Sequence, residues 1–217
     1  MISVNTHPSN PSIDHKVRCT AGLVLAGGQS TRMQGQNKAL YQLHGQSLLQ
    51  HSIDNLRKNL SPQSPIAISC GQHDYRDLCT LPQLCDKGNS GPIAGIISGL
   101  RWLQSLADIY FLAVIPCDTP FMPAHWIERL HYTINCNQNC QAAYVSVEGR
   151  PHFAHSVWSI DALDTLEEAY NSGQFAVKTT LLQINAIPVD FPSDNASLDF
   201  FNINTHEQAL QASKNID

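Results

Sequence analysis

A short stretch after the first predicted strand carries the residue types that bind phosphate groups. Gly27 and Gly28 are followed by Ser30 and Arg32, and Lys38 lies a little further on. Small residues let backbone N–H groups approach phosphate oxygens, and the two cations neutralise the charge of a triphosphate. The stretch matches neither the Walker pattern nor the GxGxxG fingerprint. Its composition therefore leaves two interpretations open, a phosphate-binding loop or a plain turn between a strand and a helix.

A single carboxylate, Asp118, follows the most apolar predicted strand, which spans 109–115. Open α/β sheets bind their ligands at the carboxyl ends of their strands, so this position favours a functional role. Magnesium prefers oxygen ligands and needs only one or two carboxylates when substrate phosphates complete its coordination. The competing interpretation makes Asp118 the N-cap of a helix that begins at Thr119 and Pro120.

The overall charge and the apolar pattern exclude several classes of partner. Lys and Arg number 13 against 18 Asp and Glu, and the formal net charge of -5 provides no general attraction for nucleic acid or for an anionic membrane. No apolar run approaches the roughly 20 residues that a membrane-spanning helix needs. We therefore expect a cytoplasmic protein without nucleic-acid or membrane partners, and we expect it to be a monomer.

The 7 cysteines are scattered along the chain without a CxxC pair, which is typical of reduced thiols in the cytosol. Cys136 and Cys140, with the nearby His131, could instead contribute to a structural zinc site, although this set lacks a fourth ligand. We expect buried or exposed thiols and keep the zinc site as the alternative.

The elements that must position these residues follow an alternating pattern. Short apolar runs alternate with longer helical patterns, which predicts an α/β fold with largely parallel strands. Residues 1–16 are rich in Ser, Asn, Pro and His, so we expect a flexible leader there and a single domain over 17–217. Helices are predicted after Ser47 and after Gly91, each with an apolar face. The predicted strands are 21–25, 66–69 and 109–115.

The C-terminal half contributes further predicted elements. A hairpin is expected around 148–150, and a helix is expected over 161–171. A last strand is predicted over 200–204, followed by a helix whose capping box is formed by Thr205 and Gln208.

The glycine-rich loop resembles the signature loop of nucleotidyltransferases of the sugar-nucleotide type. The resemblance lies in the full string Leu25-Ala26-Gly27-Gly28-Gln29-Ser30-Thr31-Arg32-Met33 and in the lysine that follows it, Lys38. The double glycine resembles that of the molybdenum cofactor guanylyltransferases, since related enzymes usually carry Ala-Gly there. The resemblance continues in Asp86 and in three motifs, so it covers nearly the whole chain after the leader. These motifs are Gly91-Pro92-Ile93-Ala94-Gly95, Pro116-Cys117-Asp118-Thr119-Pro120 and Asn202-Ile203-Asn204-Thr205.

The resemblance implies both a fold and an activity. The fold is a Rossmann-like three-layer α/β/α sandwich with a mostly parallel central sheet, of the nucleotide-diphospho-sugar transferase type. The activity is transfer of GMP from GTP to molybdopterin, with release of pyrophosphate. Magnesium is the implied cofactor, held by Asp118 with Asn204 on the opposite side of the metal site. The residues that the resemblance assigns to GTP are Leu25, Ala26, Gly27, Gly28, Ser30, Lys38, Ser69, Asp86 and Asp118.

The chemistry of this reaction class explains why no catalytic His or Cys constellation is evident. The attacking group is an already ionised phosphate, so no side-chain base is needed to create the nucleophile. Catalysis then depends on positioning and on charge stabilisation, for which the candidates are Arg32, Lys38 and Asp118. We expect the acceptor to lie over the C-terminal half, where Arg150, His152, His155 and Lys178 could meet its phosphate. The competing interpretation is that these side chains are simply solvated or hydrogen-bonded.

Three positions depart from the family pattern, and two other functions stay open. Gln34 and Asn37 stand where Gly and Asp are usual, and Ser69 stands where Asn is common, but none of the three removes a phosphate-binding charge. One alternative function is a cytidylyltransferase that acts on the same cofactor. The other is an idle relative that binds and delivers the finished cofactor. We also expect transient contact with cofactor-delivery proteins.

Overall fold

A computed structural model describes residues 19–28, 37–85, 91–192 and 199–214. The predicted leader at 1–16 lies outside these ranges and stays a prediction. The described strands are β1 (Thr20–Leu25), β2 (Gln42–Leu43), β3 (Gln46–Ser47), β4 (Ile66–Ser69), β5 (Gln83–Leu84), β6 (Phe111–Pro116), β7 (Ala142–Val147), β8 (Arg150–Ser159) and β9 (Ile187–Phe191). The described α-helices are α1 (Leu48–Asn59), α2 (Pro92–Leu103), α3 (Trp126–Cys136), α4 (Leu163–Asn171), α5 (Val177–Gln183) and α6 (His206–Lys214), and 3-10 turns span Lys38–Leu40 and Ile160–Ala162.

Seven of the described strands form one sheet in the order β5-β4-β1-β6-β8-β7-β9. Strands β5, β4, β1 and β6 run parallel to one another, and β9 runs parallel to β7, whereas β8 is antiparallel to both of its neighbours. Leu25 is paired with Ser69 on one side and with Pro116 on the other. The carboxyl ends of β1, β4 and β6 therefore meet at one edge of the sheet.

Helices cover both faces of this sheet, which confirms the predicted three-layer α/β/α architecture. Successive side chains of a strand point to opposite faces. Val24 accordingly joins a core cluster with residues of α1 and α3, whereas Leu23 joins a second cluster with residues of α2, α4 and α5. A third cluster, which includes Leu43 and Ile203, packs the C-terminal helix α6 against the β2-β3 hairpin.

The first two helices begin where the sequence predicts. The Ser47 side chain accepts a hydrogen bond from the Gln50 backbone N–H at 3.2 Å, but the Gln50 side chain bonds to Asp54, so only half of the predicted capping box forms. Helix α2 starts at Pro92 after Gly91, whose φ of 70° favours glycine. The residues predicted to face the core from these helices are buried: Leu49, Ile53, Leu56, Leu60, Ile93, Ile96, Ile97, Leu100 and Leu103.

The elements of the C-terminal half agree with the predictions in part. The hairpin turn at Glu148 and Gly149 has positive φ at both positions, as a two-residue turn between strands requires. The helix predicted over 161–171 begins with the 3-10 turn Ile160–Ala162 and continues as α4. The capping box forms, because Gln208 N–H donates to Thr205 Oγ1 and Thr205 N–H donates to Gln208 Oε1.

The strand predicted over 200–204 does not form. Strand β6 already pairs with β1 and β8 on its two sides, so it has no free edge for another strand. The segment instead crosses the loop that follows β6. Phe200 N–H donates to Phe121 C=O at 3.0 Å, and Ile203 N–H donates to Asp118 C=O at 2.8 Å. The segment is therefore hydrogen-bonded to the loop at the carboxyl edge of the sheet and does not pair with the sheet as a strand.

Among the described residues, no helix is long and apolar enough to cross a membrane.

Candidate functional site

Three polar side chains from distant parts of the chain meet at the carboxyl edge of the sheet. Lys38 Nζ donates to Asp118 Oδ2 at 2.7 Å and to Asn204 Oδ1 at 2.5 Å. The side chain of Lys38 is 14% exposed and that of Asp118 is 25% exposed, so the ion pair is largely sheltered from water. Two oxygen ligands therefore converge on one positively charged group, next to the loop that follows β1.

Lys38 is positioned by a capped 3-10 turn. Asn37 Oδ1 accepts from Ala39 N–H at 3.1 Å, which caps the turn that carries the lysine. Asn37 Nδ2 also donates to the Tyr75 hydroxyl at 3.1 Å. Asn and Asp are comparable capping residues, so the departure from Asp at this position preserves the cap.

Asp118 is held at the end of β6 by backbone and side-chain contacts. Its C=O accepts from Ile203 N–H, and the neighbouring Thr119 Oγ1 lies 2.6 Å from His155 Nε2 on β8. The next helix begins only at Trp126, so the interpretation of Asp118 as a helix N-cap is wrong. Its carboxylate instead points to Lys38, as a site residue would.

The start of the glycine-rich loop is packed tightly against the end of β4. Ala26 N–H donates to Ser69 C=O at 2.9 Å, and the Tyr75 hydroxyl donates to Ala26 C=O at 2.8 Å. A Cβ atom at Gly27 would lie 2.9 Å from Gly71 N, whereas a Cβ at Gly28 would meet no atom of the described residues within 4 Å. Gly27 therefore has no room for a side chain, whereas Gly28 is exposed.

Ser69, predicted to border the guanosine, lies at the carboxyl end of β4 and is buried. A Cβ atom at Gly95 of α2 would clash with Ser69 Oγ and would lie 2.8 Å from Leu25 Cδ2. The glycine thus lets α2 approach the ends of β1 and β4. Of the other sequence-predicted residues, Ser30, Arg32 and Asp86 lie outside the described residues, as does Gln34.

The donor set at Lys38 fits a magnesium ion. Asp118 Oδ2 and Asn204 Oδ1 are oxygen atoms within hydrogen-bond distance of the same ammonium group. A carboxylate and an amide oxygen are ligands that magnesium accepts, and substrate phosphates and water complete its coordination. The assignment of Asp118 and Asn204 to a metal site stays a prediction.

The candidate acceptor residues lie on two separate elements, β8 and α5. Arg150 is exposed at the start of β8, His152 is half-buried, and Lys178 is exposed near the start of α5. Within the described ranges, no hydrogen bond or ion pair joins Lys178 to Arg150 or His152. The acceptor assignment of Arg150, His152 and Lys178 stays a prediction.

His155 does not fit the expected direct contact with the acceptor. Its side chain is 3% exposed, its Nε2 is engaged by Thr119, and burial lowers its pKa to about 3. The ring is therefore neutral at physiological pH, and it cannot contribute a positive charge to the binding of a phosphate.

The alternative zinc site is not supported. His131 is buried, bonds to Thr20 Oγ1 at 2.8 Å and packs edge-on against Phe111. Cys140 is buried and Cys136 is exposed. No group of three or more His, Cys, Asp or Glu residues that could hold a metal ion occurs in the part of the chain that the structure describes.

Sequence reasoning missed Tyr75, and it named Thr119 only as a member of a motif without its contact to β8. Tyr75 connects the backbone of Ala26 to the side chain of Asn37, and Thr119 connects the Asp118 turn to β8. Both residues act through partners more than 30 positions away, so no local pattern reveals these contacts.

Comparisons with known proteins agree with this geometry. The sequence profile of the family described as "MobA-like NTP transferase domain" matches residues 22–183. A molybdenum cofactor guanylyltransferase of Rhizobium leguminosarum bv. trifolii is 32% identical over 199 residues, covering 89% of this chain and 91% of the relative. One of Mesorhizobium japonicum is 32% identical over 204 residues, covering 91% of this chain and 96% of the relative. The chain belongs to the molybdenum cofactor guanylyltransferase family.

A solved structure supports the fold of this guanylyltransferase family. The molybdopterin-guanine dinucleotide biosynthesis protein A of Archaeoglobus fulgidus superposes with a TM-score of 0.68 at 24% identity, covering 89% of this chain and 97% of that one. The nucleotide-diphospho-sugar transferase type of α/β fold is thereby confirmed.

Proposed function

We propose that the protein transfers GMP from GTP to the phosphate of molybdopterin and releases pyrophosphate. The observation that carries this conclusion is the convergence of Lys38, Asp118 and Asn204 beside the glycine-rich loop, in a chain of the guanylyltransferase family. A cation and two oxygen ligands at the carboxyl edge of a mostly parallel sheet are the groups that a nucleoside triphosphate with magnesium requires.

The chain's own residues would bind and orient the triphosphate. The exposed Gly28 leaves room for phosphate oxygens to reach the backbone of the loop. Lys38 Nζ lies within 2.7 Å of Asp118 and would turn from this carboxylate to the phosphates when the nucleotide enters. Because the lysine is largely sheltered from water, its charge acts at short range with little screening.

Asp118 and Asn204 would hold the magnesium ion. When bound, the ion would neutralise charge on the triphosphate and polarise the phosphorus that is attacked. The backbones of the two residues are held in place, since Asp118 C=O accepts from Ile203 N–H and Asn204 N–H donates to Gln208 Oε1 at 2.7 Å, and Lys38 Nζ holds the two side-chain oxygens. Their oxygens are therefore pre-oriented before the nucleotide binds.

The nucleophile is supplied by the acceptor rather than by the protein. Molybdopterin carries an ionised phosphate, so attack on the α-phosphorus of GTP needs no side-chain base. Cys117, beside Asp118, does not compete as a nucleophile, because burial raises the pKa of its thiol to about 12. The site therefore acts by positioning two substrates and by stabilising the charge of the departing pyrophosphate.

Calorimetric titration of the purified full chain with GTP, CTP and ATP, with and without magnesium, tests this proposal. We expect magnesium-dependent binding that is selective for GTP, followed by pyrophosphate release when molybdopterin is added. Preferential CTP binding would assign cytidylyl transfer instead. Failure to bind any nucleotide would contradict the proposal and favour the idle carrier.

A further inference from the structure

Two cysteines are in contact at the edge of the sheet that borders the proposed guanosine site. Cys70 Sγ and Cys85 Sγ lie 2.7 Å apart. The two residues directly follow the paired positions Ser69 and Leu84 of the parallel strands β4 and β5, and Cys70 N–H donates to Leu84 C=O at 3.1 Å. The backbone therefore holds the two sulfurs together.

The surroundings of the two sulfurs differ in a way that suits stepwise oxidation. Cys85 is exposed, whereas Cys70 is buried. A small oxidant therefore reaches Cys85 first. Cys70 lies beside Cys85 and can act as the resolving thiol, which attacks the oxidised sulfur. Disulfides that form in a reducing compartment are usually transient or redox-sensing, which fits a pair that is reduced at rest.

We propose that Cys70 and Cys85 form a reversible disulfide when the protein meets a hydroperoxide. The Cys85 thiol attacks the peroxide oxygen, which gives a sulfenic acid and releases water or an alcohol. Cys70 then attacks the Cys85 sulfur, the S–S bond forms, the S–O bond breaks and one molecule of water leaves. Two thiols are oxidised and one peroxide is reduced, and a dithiol reductant reverses the reaction.

Disulfide formation would restrain the edge of the sheet at which guanosine would bind, a consequence that rests on the proposed function. A disulfide has an S–S length of about 2.05 Å, so the sulfurs must approach by roughly 0.6 Å. Cys70 directly follows Ser69 and packs beside Gly27, and Cys85 directly precedes Asp86. Oxidation therefore links the two segments that would border the nucleoside by a covalent bond, and we expect the lost freedom of these segments to weaken GTP binding.

Thiol counting on the full chain tests the disulfide without any nucleotide. The protein is treated with one equivalent of hydrogen peroxide, denatured, alkylated and weighed by mass spectrometry, with peptide mapping of the linkage. We expect two of the 7 thiols to become unreactive, a cross-link between the peptides of Cys70 and Cys85, and full recovery after dithiothreitol. Retention of all thiols, or a linkage between other cysteines, would overturn the proposal.

Two cysteine variants test which thiols form the disulfide. Cys85→Ser should form no cross-link, whereas Cys136→Ser, which removes another exposed thiol, should still form it. Circular dichroism checks that both variants are folded. A loss of the cross-link in Cys136→Ser, or its persistence in Cys85→Ser, would contradict the assignment.

Calorimetry with GTP then tests the consequence for the site. We expect the oxidised wild type to bind GTP several-fold more weakly than the reduced form, and Cys85→Ser to bind equally well before and after peroxide. If the oxidised and reduced wild-type proteins bind GTP with equal affinity although the disulfide has been mapped, the proposed effect of the disulfide on GTP binding is wrong. A reduced protein that binds no GTP would instead refute the proposed function, since the disulfide itself is measured independently.

Discussion

Replacing Asp118 by Asn removes one negative charge from the site while keeping the size of the side chain. The carboxylate contacts Lys38 Nζ at 2.7 Å and is proposed to hold magnesium as well. A hydrogen bond to a charged group contributes about 1.5–3 kcal/mol. Because Lys38 is proposed to turn to the phosphates when the nucleotide binds, only the interaction with magnesium is lost during turnover. Its loss would raise the barrier by about 1.5–3 kcal/mol, which corresponds to a roughly 10- to 100-fold fall in kcat/KM.

The fold should be affected far less than the activity. The Asn amide oxygen still accepts from Lys38, so we expect Asp118→Asn to lower the free energy of unfolding by only about 1 kcal/mol. Pyrophosphate release, measured over a magnesium titration, gives the activity, and denaturant unfolding gives the stability. Asp77→Asn, at an exposed position outside the helices, is the control and should match the wild type in both assays.

The magnesium titration distinguishes a metal ligand from a purely structural carboxylate. A metal ligand predicts that Asp118→Asn needs a higher magnesium concentration for half-maximal activity. If the variant is fully active at the magnesium concentration that suffices for the wild type, the assignment of Asp118 to the metal site is wrong.

Three further perturbations test the phosphate loop, its packing and the buried histidine. Lys38→Ala should raise the KM for GTP roughly 10- to 100-fold through loss of a charge-assisted hydrogen bond, and unchanged kinetics would remove Lys38 from the phosphate site. Gly27→Ala should lower the free energy of unfolding by about 1–3 kcal/mol in denaturant titrations, because its Cβ would lie 2.9 Å from Gly71 N, whereas Gly28→Ala should leave that free energy unchanged; equal losses would contradict the packing argument. Burial lowers the pKa of His155 to about 3 from an ordinary 6.5, so the unfolded chain takes up a proton between these pH values and the folded chain does not. Folding stability should therefore fall as the pH drops from 6.5 towards 3, and His155→Gln should show a shallower fall in unfolding titrations; identical pH dependence would refute this.

Local patterns were sufficient for the elements whose signals are strong. The apolar faces of α1 and α2 and the runs of β1 and β4 are dictated by burial on a regular period, so the sequence predicts them directly. The strand expected at 200–204 failed because strand formation needs a partner edge, and both edges of β6 are occupied. An apolar segment indicates that its side chains will be buried, but it does not indicate against which surface they will pack.

The residue types of the candidate site were also readable in the sequence. Lys38, Asp118 and Asn204 were identified by motif, and the ordered set of motifs identified the family before any geometry was known. Asn37 shows the limit of this reasoning, because its departure from the usual Asp acquires a meaning only when its side chain is seen to cap the turn that carries Lys38.

The sequence by itself determined the periodic elements, the residue types of the candidate site and the family. Only the tertiary structure decided that Lys38 meets Asp118 and Asn204, which lie 80 and 166 positions away along the chain. The same holds for the buried His155 and for the contact between Cys70 and Cys85. The physical reason is that periodicity records burial along one element, whereas these contacts depend on how separate elements are brought together by the parallel sheet.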